Sequence, residues 1–243
     1  MTVLNADKRN DSNAVGEDTW ELFESVEQSF GVDLGDFDSQ AGVRVSELSE
    51  RIFKLANYPA REKCISAVVF YKLRRVFTDL LGVPSRSICP TTPIKQLLPW
   101  RSRRARWRAM QEHLDLQFPQ LSFPRWLLVF CLISPMALLI FVKESIGSGI
   151  SWMALVVCGL ILFVVEIYAC LPLARSLPPG CETFGDLAKA VLARNYALFA
   201  TRYAGSSEED VLSSLRLLVA SEIGTEVTKV LPETRIPADL NIY

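Results

Sequence analysis

Residues 15–34, "VGEDTWELFESVEQSFGVDL", set the reading of the fold. Trp20, Phe23, Val26 and Phe30 recur at helical spacing, and Asp18 or Thr19 stands where an N-cap belongs. Glu17, Glu21, Glu24 and Glu27 fall outside that stripe and would face solvent. The spacing therefore predicts a short amphipathic helix with an acidic outer face.

The charge around it is uneven. Residues 1–50 hold twelve acids against only Lys8, Arg9 and Arg44, although the whole 243-residue chain has a net charge of −1. Residues 101–108, "RSRRARWR", hold five arginines. Blocks of opposite sign in one chain point to different partners for each. The six cysteines form no CxxC pair, and His113 is the single histidine. This favours reduced structural thiols and gives no support to a metal site. Glycine-rich phosphate loops and the common hydrolase motifs are also lacking. The expectation is a non-enzymatic protein with no catalytic residue, cofactor or metal.

Half of the residues are hydrophobic, and the excess is concentrated. "WLLVFCLISPMALLIFV" (126–142) and "ISWMALVVCGLILFVVEIYACLPL" (150–173) are long apolar runs joined by "KESIGSG". They predict a transmembrane two-helix hairpin within 123–174. Basic residues flank its outer ends, which places both termini in the cytoplasm of a cell inner-membrane protein. On this reading Arg101, Arg103, Arg104, Arg106 and Arg108 lie on lipid headgroups, with Trp100 and Trp107 dipping into the interface. Nucleic-acid binding is the less favoured use of those arginines. Glu166, an acid within the second run, is expected either to reach toward the headgroups or to make a proton site or a polar subunit contact.

The fold class expected is all-α, with small cytoplasmic helical bundles beside the hairpin. The segments are a disordered acidic N-terminus (1–17), helices at 18–60, a helical segment with a basic juxtamembrane helix (61–122), the hairpin, and further helices at 182–243. Three of these stretches resemble acyl carrier domains. Asp18-Thr19-Trp20-Glu21-Leu22 followed by Phe30-Gly31-Val32 looks like the second helix and exit loop of that family, and Val45-Ser46-Glu47-Leu48 like the start of its last helix. "ISAVVFYKLRRVFTDLLGV", stopped by Gly82, resembles a first helix. The arginine-rich segment takes the place of the second helix and ends at Phe118-Pro119. "ETFGDLAKAVLARNYALFA" resembles the last helix, so the hairpin looks inserted within a carrier-like bundle. "SSEEDVLSSLRLLVASEIGTEVTKVLPETRIPADLNIY" resembles a first helix and loop, with a capping box from Ser206 to Glu209. The N-terminal and C-terminal helices would then complete one bundle in permuted order.

The resemblance implies an attachment serine for phosphopantetheine at the start of the second helix. Gly16 stands there, and Ser102 near the corresponding place in the middle segment lies among arginines. The implied protein is a degenerate carrier-like module. It would dock a cytosolic or membrane protein partner through Glu21, Glu24 and Glu27. The rival expectation is a subunit of a membrane transport or lipid-handling assembly that uses Glu166.

Overall fold

The computed structural model describes residues 17–35, 42–58, 64–122, 152–170, 175–203 and 206–240, with positions 124, 127, 129–131, 133–135, 137 and 140. Its described helices are α1 (Glu17–Phe30), α2 (Val45–Ala56), α3 (Ile65–Leu81), the single turn α4 (Ile94–Leu97), α5 (Arg103–Leu114), α6 (Trp152–Cys170), α7 (Phe184–Arg194), α8 (Tyr196–Tyr203) and α9 (Glu208–Glu222). Two short strands, β1 (Val43–Arg44) and β2 (Arg235–Ile236), pair antiparallel with Val43 opposite Ile236. The chain divides into two compact units. One comprises Met1–Leu98, Arg106–Pro119 and Pro178–Tyr243; the other comprises Pro99–Ala105 and Gln120–Leu177.

In the first unit α9 packs on α2 and α7, α3 packs on α7, and α1 lies against α7, α8 and α9. Each helix contributes an apolar stripe at helical spacing. Val69, Leu73, Val76 and Phe77 are buried on α3, and Val211, Leu215, Leu218 and Val219 on α9. The helix ends follow local chemistry. Thr183 caps α7 by accepting from Asp186 N at 3.2 Å, while the Asp186 carboxylate accepts from Thr183 N at 3.1 Å. At α9 the reciprocal pair is Ser207 with Asp210, one residue later than the expected Ser206–Glu209 box. Ser206 is not free to cap, because its hydroxyl is buried in a 2.6 Å hydrogen bond with Tyr196 Oη.

This unit contains the same motif twice. Residues 65–94 match 207–236 without a gap. In both, a helix ends at a left-handed glycine, Gly82 (φ 65°) or Gly224 (φ 67°). A 3-10 turn follows, at Ser85–Ser87 or Val227–Lys229. Arg74 Nε donates to Ser85 O at 2.8 Å, and its counterpart Arg216 donates through Nη2 to Val227 O at 3.3 Å. Cys89 N donates to Thr92 Oγ1 at 2.8 Å; Leu231 N donates to Thr234 Oγ1 at 2.9 Å. The incoming final helices also match. Phe184 N and Gly185 N donate to Thr92 O and Pro90 O, as Val45 N and Ser46 N donate to Thr234 O and Pro232 O. Buried backbone donors are thus satisfied by the same route in each copy.

The second helices repeat as well, with 19–34 matching 103–118. Val26, Phe30, Val32 and Leu34 are buried, as are Met110, Leu114, Leu116 and Phe118. Gly31 (φ 64°) and Asp115 (φ 51°) occupy the same left-handed position, where α1 and α5 each stop. The α5 helix therefore ends at Leu114, before the Phe118-Pro119 stop read from the sequence. One copy runs α3, α5, α7. The other is permuted and runs α9, α1, α2.

The second unit corrects the membrane reading. Among the described residues no helix is long and apolar enough to cross a membrane. Much of the first apolar run, and all of the connecting "KESIGSG", lies outside the described residues. The transmembrane hairpin, the inner-membrane placement and the orientation derived from it are accordingly withdrawn. What this unit does show is a bridge between Ser122 and Ser176, with both backbone bonds at 3.0 Å, and a helix α6 that exposes Met153, Leu160, Ile161 and Val165.

Candidate functional site

The acidic helix α1 carries the candidate docking face. Its buried side is formed by Thr19, Leu22, Val26, Ser29 and Phe30. That stripe is rotated from the one read in the sequence: Trp20 is 52 % exposed, and Thr19 is fully buried within the first turn rather than at the cap. Neighbours cause the rotation. The Phe30 ring packs tilted against Tyr196 at 5.1 Å, and Ser25 Oγ donates to Glu222 Oε1 at 3.0 Å. Trp20, Glu21, Glu24 and Gln28 are left facing outward. Glu27 is different. Its carboxylate accepts a 2.7 Å hydrogen bond from Leu34 N, which ties the exit loop to the last turn of α1. The structure therefore brings Glu21 and Glu24 together with Trp20 on one face and assigns Glu27 to holding the loop. Gly16 lies outside the described residues.

Behind this face, α1, α7 and α9 are joined by a polar relay. Arg194 Nη2 contacts Glu222 Oε1 at 2.9 Å and Ser221 Oγ at 3.1 Å. Tyr58 Oη donates to Phe30 O at 2.6 Å. Burial, then the neighbouring Tyr196, pushes the Tyr58 phenol up from its ordinary range.

The arginines expected on lipid have several different roles. Arg103 is buried, donates to Arg175 O at 2.7 Å and lies 5.6 Å from the Trp100 ring. Its pKa is lowered by burial. Arg106 Nη1 reaches Leu97 O at 3.5 Å. Arg101 and Arg108 are exposed, and Arg104 is half-buried. Trp107 does not dip into an interface: it is buried, packs on Phe118 and donates through Nε1 to Pro119 O at 3.2 Å. With the hairpin withdrawn, the lipid-headgroup role loses its basis. Glu166 likewise no longer reads as an intramembrane group. Its two carboxylate oxygens take hydrogen bonds from Ser134 Oγ at 2.9 and 2.7 Å.

Among the described residues no cluster of three or more His, Cys, Asp or Glu side chains is placed to hold a metal ion. The described thiols divide by environment. Cys64, Cys89 and Cys158 are exposed, whereas Cys131 and Cys181 are buried. Burial, with the Asp186 carboxylate adding to it and Arg194 opposing, pushes the Cys181 thiol up to about 12. Thiol labelling of the native chain at pH 8 should modify Cys64 and Cys89 roughly a hundredfold faster than Cys181, read by peptide mass. The neutral Cys181 thiol favours the folded state below its ordinary value of 9.0, and that contribution is lost as pH rises toward about 12. Melting temperature should fall across that window, and less so in Cys181→Ala.

The positional match between the two copies bears on the carrier resemblance. Carried back by the same sequence offset, Trp100 stands where Gly16 does, and neither residue has a hydroxyl. Comparison with protein-family models, with curated proteins and with solved structures finds no match for this chain.

Proposed function

We propose that the protein is a non-enzymatic docking module, built from two carrier-like helical copies that have no arm-attachment serine, and that it binds a partner protein through the exposed face of α1. The observation that carries this reading is the presentation of Trp20, Glu21 and Glu24 on a helix whose opposite face is anchored in the core. An exposed aromatic beside exposed carboxylates suits a partner with a basic rim and an apolar centre. Carboxylates at such a rim set encounter rate and specificity, so binding weakens as salt rises.

Two measurements test it. Incubation with a phosphopantetheinyl transferase and coenzyme A should leave the intact mass unchanged; an adduct on any serine ends the degenerate-carrier reading. Glu21→Lys with Glu24→Lys should leave the helical circular dichroism signal intact, because surface changes cost little. It should weaken binding of the partner about tenfold or more. Undiminished partner binding by the reversed chain would reduce α1 to a part of the core.

A further inference from the structure

In the first unit a cleft of about 430 Å³ opens between α3, the loop that follows it and α7. Its volume falls within the range of small-molecule sites, roughly 300–1,000 Å³. The walls are mainly apolar, with Phe70 and Tyr71 from α3 and Ile88 and Pro90 from the loop. The two rings meet edge-on at 5.5 Å, and Phe70 is held from behind, edge-on to the fully buried Phe184 at 5.2 Å. Tyr71 is 62 % exposed, so its ring is open to a guest. The loop wall is fixed as well: Arg74 Nε donates to Ser85 O at 2.8 Å, and Gly185 N donates to Pro90 O at 2.8 Å. Walls held in this way cost little further ordering when a ligand enters.

The charge at this cleft is basic. Lys189 of α7 lines it and is exposed, Arg74 lines it too, and no acidic side chain is among the described lining residues. The repeat shows that this charge belongs to one copy. Ser66 and Ala67 correspond to Glu208 and Glu209. Lys189, counted from Phe184, corresponds to Glu50, counted from Val45, and Glu50 pairs with Lys54 at 2.6 Å. We propose that the cleft binds a small aromatic acid, its flat rings against Phe70, Tyr71 and Pro90 and its carboxylate at the Lys189 ammonium. Aromatic walls attract aromatic guests beyond the area they cover. An ammonium on a flexible stem makes a charge-assisted hydrogen bond to a carboxylate without demanding one fixed approach. Among the described residues no part of α1 lines the cleft, so this proposal and the docking reading do not depend on each other.

In calorimetric titration of the full chain, 2-naphthoate should bind saturably at one site. Lys189→Glu changes an exposed side chain, so the fold should be kept by circular dichroism. It should weaken binding about tenfold or more, because it sets like charges together. Lys189→Arg should keep the affinity within about threefold, since it keeps the charge. The alcohol 2-naphthalenemethanol has the rings without the charge and should bind about fivefold or more weaker. Decahydro-2-naphthoate has the charge without flat rings and should bind about threefold or more weaker. Saturating 2-naphthoate should slow thiol labelling of Cys89, which lines the cleft, severalfold, and leave the exposed Cys158 of α6 unchanged. Absence of saturable binding at millimolar naphthoate overturns the proposal. So does undiminished affinity in a folded Lys189→Glu chain, or equal affinity for the alcohol or the decahydro acid. Binding that leaves Cys89 labelling unaltered, or that slows Cys158 as much, places the ligand elsewhere and overturns it too.

Discussion

Phe184→Ala is expected to lower folding stability by about 3–5 kcal/mol, the cost of emptying a fully packed aromatic site. Phe184 is completely buried as the first residue of α7, and its ring meets Phe70 at 5.2 Å and Phe77 at 5.0 Å, both edge-on. Removing the ring deletes contacts to α3 on two sides. The Thr183 cap holds the backbone in place, which limits collapse into the space left. The equivalent residue in the permuted copy is Val45, also fully buried. Val45→Ala removes fewer carbons and should cost less, and Phe184→Val should fall between the two outcomes at position 184. Urea unfolding at unchanged m-value measures all three. A loss below about 1 kcal/mol for Phe184→Ala would contradict the packing of α3 on α7.

The second large effect is expected at Asn195, which closes α7. Its Oδ1 accepts from Gln117 N at 2.9 Å, while its Nδ2 donates to Gln117 O at 2.8 Å and to Val191 O at 2.7 Å. One side chain thus satisfies both backbone groups of Gln117, in the exit loop of α5. Asn195→Ala removes the partner of both Gln117 backbone groups and one bond to Val191 O; Gln117 is exposed, so water takes over part of the loss, and the cost should be about 1–3 kcal/mol. Asn195→Asp tests the geometry more sharply. It puts an acceptor against the two carbonyl oxygens, so it should be at least as damaging as alanine once ionised and should recover partly below about pH 4, near the usual aspartate range. Equal stability of the aspartate and alanine variants at every pH would mean that the Nδ2 bonds contribute little.

Much of the local structure was legible before any coordinates. Gly82 stops α3 because a residue with φ of 65° needs no Cβ there. The Val45 and Phe184 helix starts are what the family resemblance implies, and the acidic outer side of α1 follows from spacing. Local spacing misleads where a side chain's surroundings come from distant segments. Trp20 and Phe23 look equally suited to a core, but Tyr196 and Glu222 set the rotation of α1, and Trp20 is left outside. Glu27 has the composition of a surface acid, yet the backbone of Leu34 turns back to meet it. Trp107 and the arginines around it read as a membrane-surface cluster, because nothing local reveals that Pro119 O and Arg175 O take their donors. The apolar runs announce themselves by composition, whereas crossing a bilayer demands an unbroken helix of sufficient length, and no described helix meets that demand.

Sequence by itself determined the helical character, the helix stops at Gly82 and Gly31, and the opposite charges of α1 and α5. Each depends on residues within a turn or two of one another. Only the tertiary structure decided that β1 pairs with β2, that α9 joins α1 and α2 from the far end of the chain, and that the turns in 65–94 and 207–236 share the same backbone bonds. Those pairings unite segments far apart in sequence. They form because closing a long loop costs only slightly more than closing a short one, while the buried donors and apolar stripes are satisfied only when the segments meet.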